Sequence, residues 1–220
     1  MVEISTSILS IKKEESIKKF YDLEVAHTDY FHIDVMDGKF VENNTEEVMK
    51  EYVNIIKQIS NIPLDIHFMV EDVKKFVDEY IPVLPNIMTF HYEALKDKKK
   101  IMEVINYIKE NNIKVGISIK PDTKVEEIYE YLPYVHMVLV MTVEPGKGGQ
   151  ALIPETLEKI QQLKDYIEKN NLDVDIEADG GINLDTMERV KDAGVNIAVV
   201  GSGITKTTDY KKAIKQLKEI

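Results

Sequence analysis

The 220-residue chain contains no cysteine. Disulfide frameworks, thiol nucleophiles and cysteine-ligated zinc sites are therefore excluded, and any metal must be held by histidine and carboxylate. No Pro-, Gly- or Ser-rich stretch marks a linker, so one domain over residues 1–220 is expected. Net positive charge is lacking too: 28 Lys and Arg stand against 39 Asp and Glu, for a formal charge of −11. Nucleic acids and anionic membranes reward clustered cations, so neither is expected as a partner. An anionic small molecule stays compatible, because backbone N–H groups bind phosphate without help from net charge. The runs Lys98-Lys99-Lys100 and Lys211-Lys212 read as solvated helix faces. The first residues, MVEISTSILS, show no basic segment followed by an apolar run, and no apolar run approaches the roughly 18 residues of a spanning helix. No targeting or spanning segment is expected, and the location expected is cytoplasmic.

What is present is an alternation. Strand-like runs begin at EISTSIL, YFHIDVM, LDIHFMV, NIMTFHYE, IKVGISI, HMVLVMTV, VDIEADGG and NIAVVGSG, with helical periodicity between them. TEEVMKEYVNIIKQIS places Val48, Tyr52, Ile55, Ile56 and Ile59 on one stripe, and TLEKIQQLKDYIEKN repeats Leu157, Ile160, Leu163 and Ile167. A last helix near Asp209–Ile220 closes the chain. Eight such units of about 27 residues predict an α/β fold of the (β/α)₈ type, the TIM barrel. The competing open doubly wound sheet usually carries G-x-G-x-x-G after its first strand, and that motif is absent.

Polar residues spaced two apart share one face of a strand. The pairs are Ser5 and Ser7, His32 and Asp34, Asp65 and His67, His91 and Glu93, and Glu177 and Asp179. Barrel interiors are ordinarily apolar, and the C-terminal strand ends carry active sites. Buried carboxylates need a positive partner, yet the only arginine, Arg189, lies outside the strand candidates. A divalent cation held by two histidines and two carboxylates answers that need, and Zn²⁺, Fe²⁺, Mn²⁺ and Co²⁺ all suit such a set. Met36, Met69 and Met141 continue the strand ends and predict a soft lining above the polar groups.

Three glycine-bearing loops follow consecutive strands: EPGKGGQ (144–150), DGGIN (179–183) and GSG (201–203). Barrel enzymes often bind phosphate with loops in these positions. A metal-capable site beside a phosphate cradle describes a phosphorylated small substrate whose polar end chelates the metal. Asp34 and Asp179 are the acid and base candidates for removing and returning a proton next to a carbonyl.

The stretches HIDVMDGKFVENNT, LDIHFMV, TFHYEA, VLVMTVEPGKGGQ, DGGIN and VVGSGI together resemble the ribulose-phosphate 3-epimerase family, over nearly the whole chain. The resemblance implies a ribulose-phosphate-binding barrel of pentose phosphate metabolism that interconverts D-ribulose 5-phosphate and D-xylulose 5-phosphate by inverting C3. It implies that His32, Asp34, His67 and Asp179 hold the divalent metal. It also implies that Asp34 and Asp179 act on opposite faces of a cis-enediolate. The substrate-facing set implied is Ser7, His67, Met36, Met69, Met141, Gly146, Lys147, Gly148, Gly149, Gly180, Gly181, Gly201 and Ser202. Asp65 and Glu177 are expected to orient His67 or nearby groups, and Asp37 to serve the loop. The expected partners are a ketose phosphate and further copies of the same chain.

Three positions depart from the family's usual pattern: Thr6 and Glu42 stand where proline is usual, and Lys147 where phenylalanine is usual. Two alternatives accompany the expectation. One is an epimerase acting on a hexulose 6-phosphate such as allulose 6-phosphate; the other is a non-catalytic barrel that binds sugar phosphate. A related decarboxylase would need D-x-K-x-x-D, and Met36 occupies the lysine position.

Overall fold

Each β-branched, alternating run becomes a strand: β1 (Glu3–Ser7), β2 (Tyr30–Met36), β3 (Leu64–Met69), β4 (Ile87–His91), β5 (Lys114–Ile119), β6 (Met137–Met141), β7 (Asp175–Asp179) and β8 (Ile197–Val200). The computed structural model describes residues 1–220. All neighbouring strands run parallel in chain order, and β8 pairs with β1 to close the barrel. Around it lie α1 (Ser16–Val25), α2 (Glu46–Ile59), α3 (Val73–Tyr80), α4 (Tyr92–Leu95), α5 (Lys98–Glu110), α6 (Thr156–Lys169), α7 (Met187–Ala193), α8 (Ser202–Thr205) and α9 (Tyr210–Glu219). No helix is long and apolar enough to cross a membrane.

The helices dock by their expected stripes, with one shift. In α6 Ile160, Leu163 and Ile167 are buried, as the spacing predicts. In α2 the buried line is Met49, Tyr52, Val53 and Ile56, whereas Val48, Ile55 and Ile59 are only half-buried beside it. The expected stripe thus lies at the margin of the true one. Asp209 caps α9 by accepting the Lys212 N–H at 2.9 Å. The β5–β6 connection is a ten-residue 3₁₀ stretch, Val125–Tyr134, containing Pro133, in place of an α-helix. Proline removes the N–H that an α-helical ladder needs.

The main core of 56 buried residues lies between the strands and the helices. On β2 the outward residues Phe31, Ile33 and Val35 belong to it, so His32, Asp34 and Met36 face the barrel interior. The interior is therefore polar over much of its height. At its N-terminal end Ile87, Met137 and Ile197 pack with Tyr30 as an apolar plug. Parallel register places Asp34 beside His67, Met36 beside Met69, and Asp179 beside Met141.

Candidate active site

The end of β2 is held by its own loop. The Thr45 hydroxyl donates to the Asp34 carbonyl at 2.6 Å and accepts the Met36 N–H at 2.9 Å. One Asp37 oxygen accepts the N–H groups of Lys39 and Phe40, and the other accepts that of Glu71. Asp37 is thus a loop organiser, as expected from its place past the strand.

Four side chains meet on the barrel axis. His32 Nε2 lies 3.4 Å from Asp34 Oδ1 and 3.8 Å from Asp179 Oδ2. His67 Nδ1 lies 3.7 Å and 3.6 Å from the same two oxygens. Both of these ring nitrogens are buried and have no hydrogen-bond partner. Bonds of about 2.0–2.2 Å to a four-coordinate divalent ion would space neighbouring ligand atoms by about 3.3–3.6 Å. The donor set, the spacing and the orphaned nitrogens fit a first-row divalent cation, and these residues are one of two buried groups able to hold one.

Support for the four comes from below and from the side. His32 Nδ1 meets Asp65 Oδ2 at 2.5 Å, and that oxygen also accepts the Ser5 hydroxyl at 2.8 Å. Of the groups it was expected to orient, His67 or its neighbours, Asp65 thus holds the neighbouring His32; its register opposite His32 decides this. The second buried group, His32, Asp65 and Glu177, uses the His32 nitrogen already committed to Asp65. The partner of His67 is His91, with their Nε2 atoms 2.9 Å apart. Glu93, expected on strand β4 beside His91, lies past its end on α4, and reaches back to His91 Nδ1 at 3.1 Å.

These contacts fix charge. Burial works against protonation of His32, but the carboxylates of Asp65 and Asp34 outweigh it and raise its pKa well above the usual imidazole value. Burial opposes ionisation of Asp34, yet His32 and His67 hold that carboxyl far below its ordinary value. Burial and the neighbouring Asp65 carboxylate push Glu177 well above the carboxylate range. Both Glu177 oxygens are buried without a hydrogen-bond partner, which suits a protonated acid better than an anion. Burial lowers His91 to about 4, so it is neutral at physiological pH.

Above this floor opens a cavity of about 670 Å³. Ser7, Asp34, Met36, Met69, Met141 and Asp179 line its base. Its rim carries Gly146, Lys147, Gly148, Gly149, Gly180, Gly181, Gly201 and Ser202. Gly180 and Gly181 have φ values of +126° and +68°, and a Cβ on Gly181 would stand 2.3 Å from the Leu152 nitrogen. Only glycine fits there, and the absence of a side chain lets a ligand approach the backbone closely. The loops after β2 and β6 meet across the mouth, where the Asn43 amide donates to the Gly146 carbonyl at 2.6 Å.

Comparison with known proteins decides the family. The model of the ribulose-phosphate 3-epimerase family matches residues 3–205. The chain belongs to that family. It is thereby an isomerase. A ribulose-phosphate 3-epimerase of Methanocaldococcus jannaschii is 39% identical over 100% of this chain and 91% of that protein. One of Bacillus subtilis is 35% identical over 99% of each. Among solved structures, KGPDC from Streptococcus mutans aligns at a TM-score of 0.72 and 13% identity, over 100% of this chain and 96% of that one. The 3-hexulose-6-phosphate synthase of Salmonella typhimurium aligns at 0.70 and 18%, over 99% and 97%. At such identities these two speak to the TIM-barrel fold alone.

Set against the epimerase motifs, the structure gathers every expected residue at one end of the barrel. His32 and His67 lie under the cavity, fully buried; the others line it. Ser7 differs from expectation in one respect, since its hydroxyl donates to Asp34 Oδ2 at 2.7 Å. Glu42 and Lys147, both departures from the family pattern, face each other at 3.7 Å across the mouth. The cavity also includes Asn43, Gln150, Asn183 and Lys206, which the sequence reading passed over. Asn43 and Gln150 lay inside quoted motifs but carry no distinctive chemistry. Lys206 lies five residues past Gly201 and reaches the rim only because α8 is a single turn.

Proposed function

We propose that this chain inverts C3 of D-ribulose 5-phosphate to give D-xylulose 5-phosphate, with a divalent metal and two aspartates. The observation that carries the proposal is the convergence of Asp34 and Asp179 with His32 and His67 at the base of a glycine-rimmed cavity of about 670 Å³. His32, Asp34, His67 and Asp179 would hold the cation. When bound, it supplies Lewis-acid stabilisation to negative charge developing at the ketose oxygens, a contribution of several kcal/mol.

The chain's own residues do the rest. One aspartate, ionised, takes the C3 proton, and the C–H electron pair becomes the C2–C3 double bond of a cis-enediolate. The other aspartate, protonated, returns a proton to the opposite face of C3 as that double bond reverts to the ketone. Inversion needs two groups because one carboxylate reaches only one face. At the end of a turnover the two have exchanged protonation states. Asp34 and Asp179 enter the site from different strands, β2 and β7, with the β8–β1 pair between them, which supports assigning them to different faces of the substrate. Ser7, by donating to Asp34, stabilises its ionised form. Met36, Met69 and Met141, each nearly fully buried, cover the planar intermediate with polarizable surface and keep water from it.

The glycine loops would receive the phosphate on backbone amides, with Lys206 and Lys147 supplying positive charge at the rim. Cytoplasmic pentose metabolism fits a phosphorylated substrate of this kind. Homo-oligomerisation belongs to the same reading, as does the single-domain organisation. The test is a panel of ribulose 5-phosphate and allulose 6-phosphate with protein reconstituted with Fe²⁺, Zn²⁺, Mn²⁺ or Co²⁺. Ribulose 5-phosphate should turn over fastest. Faster turnover of allulose 6-phosphate would transfer the assignment to the hexulose, and no turnover with any metal would favour a non-catalytic binding barrel.

A further inference from the structure

His67 would meet the cation through Nδ1 while its Nε2 faces another imidazole, and that arrangement raises a question of tautomer. Two ring nitrogens 2.9 Å apart, His67 Nε2 and His91 Nε2, share one proton between them. Which nitrogen owns it is settled at the far end of the chain of contacts. His91 Nδ1 lies 3.1 Å from Glu93 Oε2. The other Glu93 oxygen is already taken by the Lys120 N–H at 2.8 Å and by the Thr123 hydroxyl. A carboxylate only accepts, so His91 Nδ1 carries the hydrogen. In a neutral ring His91 Nε2 is then a lone pair, and His67 Nε2 must donate to it. The consequence is a bare Nδ1 on His67, aimed between Asp34 and Asp179 at 3.7 and 3.6 Å.

We infer that Glu93, acting through His91, is a positioning residue that holds His67 in the tautomer able to ligate the divalent cation. The inference rests on the metal-dependent reading above and extends it to two residues outside the ligand set. All three side chains sit where water cannot substitute for the contacts: His67 and His91 are fully buried, and Glu93 is 10% exposed. The relay is anchored on the loop after β5, at Lys120 and Thr123, remote from the cavity in sequence. Phe40 packs over His91 at 4.9 Å between ring centroids and closes the relay from the β2 loop. His32 is served in the same fashion by Asp65, so each histidine of the quartet has one nitrogen held by a neighbour and the other turned inward.

Glu93→Gln tests this. Its carbonyl can satisfy Lys120 and Thr123, which turns the amide N–H group to His91 Nδ1. The relay then runs backwards, and the hydrogen of His67 moves to Nδ1. Zinc affinity, measured by competition with a chromophoric chelator, should fall 10- to 100-fold. In ¹⁵N spectra of the zinc-loaded wild type, His91 should carry its proton on Nδ1 with Nε2 bare; in Glu93→Gln it should carry it on Nε2. A merely structural Glu93 would change stability without exchanging these signals. Zinc affinity within twofold of wild type in Glu93→Gln, or a wild-type His91 protonated on Nε2, overturns the relay. Should Glu93→Gln not fold, the wild-type spectrum decides alone. Wild-type protein that takes up no zinc overturns the metal reading itself and the relay with it, whereas wild-type zinc binding with an unaffected variant overturns only the relay.

Discussion

Glu177→Gln should reveal the protonated acid buried beneath the site. Glu177 is fully buried, both of its oxygens lack partners, and its pKa is raised well above 4.5 by burial and by Asp65. Below pH 4.5 folded and unfolded chains both keep this proton. Above it the unfolded chain releases the proton and the folded chain holds it, so rising pH favours unfolding through this group. The loss is about 1.4 kcal/mol per pH unit until the folded group itself ionises. Glutamine mimics the protonated form and does not titrate. The variant should therefore gain on wild type between pH 5 and pH 7.5, by up to about 1.4 kcal/mol per pH unit while the folded group keeps its proton, whatever constant offset the amide introduces. Urea unfolding at each pH, with Glu177→Gln and wild type in parallel, reads the difference directly. A stability difference independent of pH would refute the protonated state. A difference that shrinks as pH rises would reverse the sign and refute the reasoning altogether.

Other expectations follow from single contacts. Asp34→Asn and Asp179→Asn should each abolish epimerisation while leaving the circular dichroism spectrum unchanged; near-normal turnover in either removes that residue from proton transfer. Lys147 pairs with Glu42 on an exposed rim, where such pairs are worth at most about 1 kcal/mol. Lys147→Phe should accordingly change KM more than kcat in steady-state assays, and a collapse of kcat would give the lysine a role in the chemistry. Asp37→Ala strips acceptors from three N–H groups and should destabilise the protein by about 1–3 kcal/mol by urea titration. Chelation followed by verified metal removal should eliminate activity, with recovery on adding one of the four candidate cations.

Much of this was legible in the sequence because the relevant signals are local. The period-2 runs place His32 and Asp34 on one face, and nothing beyond the pleat is needed to turn both inward. Glycines at strand ends likewise announce themselves. Partner choice was not legible, because it depends on register between strands. Asp65 lies two residues before His67, yet parallel pairing sets it opposite His32. Glu93 continued the alternation of β4 in sequence, but the chain turns into α4 directly after His91 and swings Glu93 out of the sheet. Two exposed departures, Glu42 and Lys147, lie about a hundred residues apart, and only the meeting of their loops over the mouth makes them neighbours. In α2 the stripe was displaced because Met49 and Val53, not Val48 and Ile55, lie nearest the sheet.

The central claim is proton transfer at C3 by Asp34 and Asp179, and solvent isotope incorporation tests it most directly. Ribulose 5-phosphate is incubated with the metal-loaded protein in D₂O and the products are analysed by NMR. The xylulose 5-phosphate formed should carry deuterium at C3 and at no other carbon, and neither Asp34→Asn nor Asp179→Asn should form it. Product that retains its original hydrogen at C3, or deuterated xylulose 5-phosphate formed at the wild-type rate by either variant, would contradict the account.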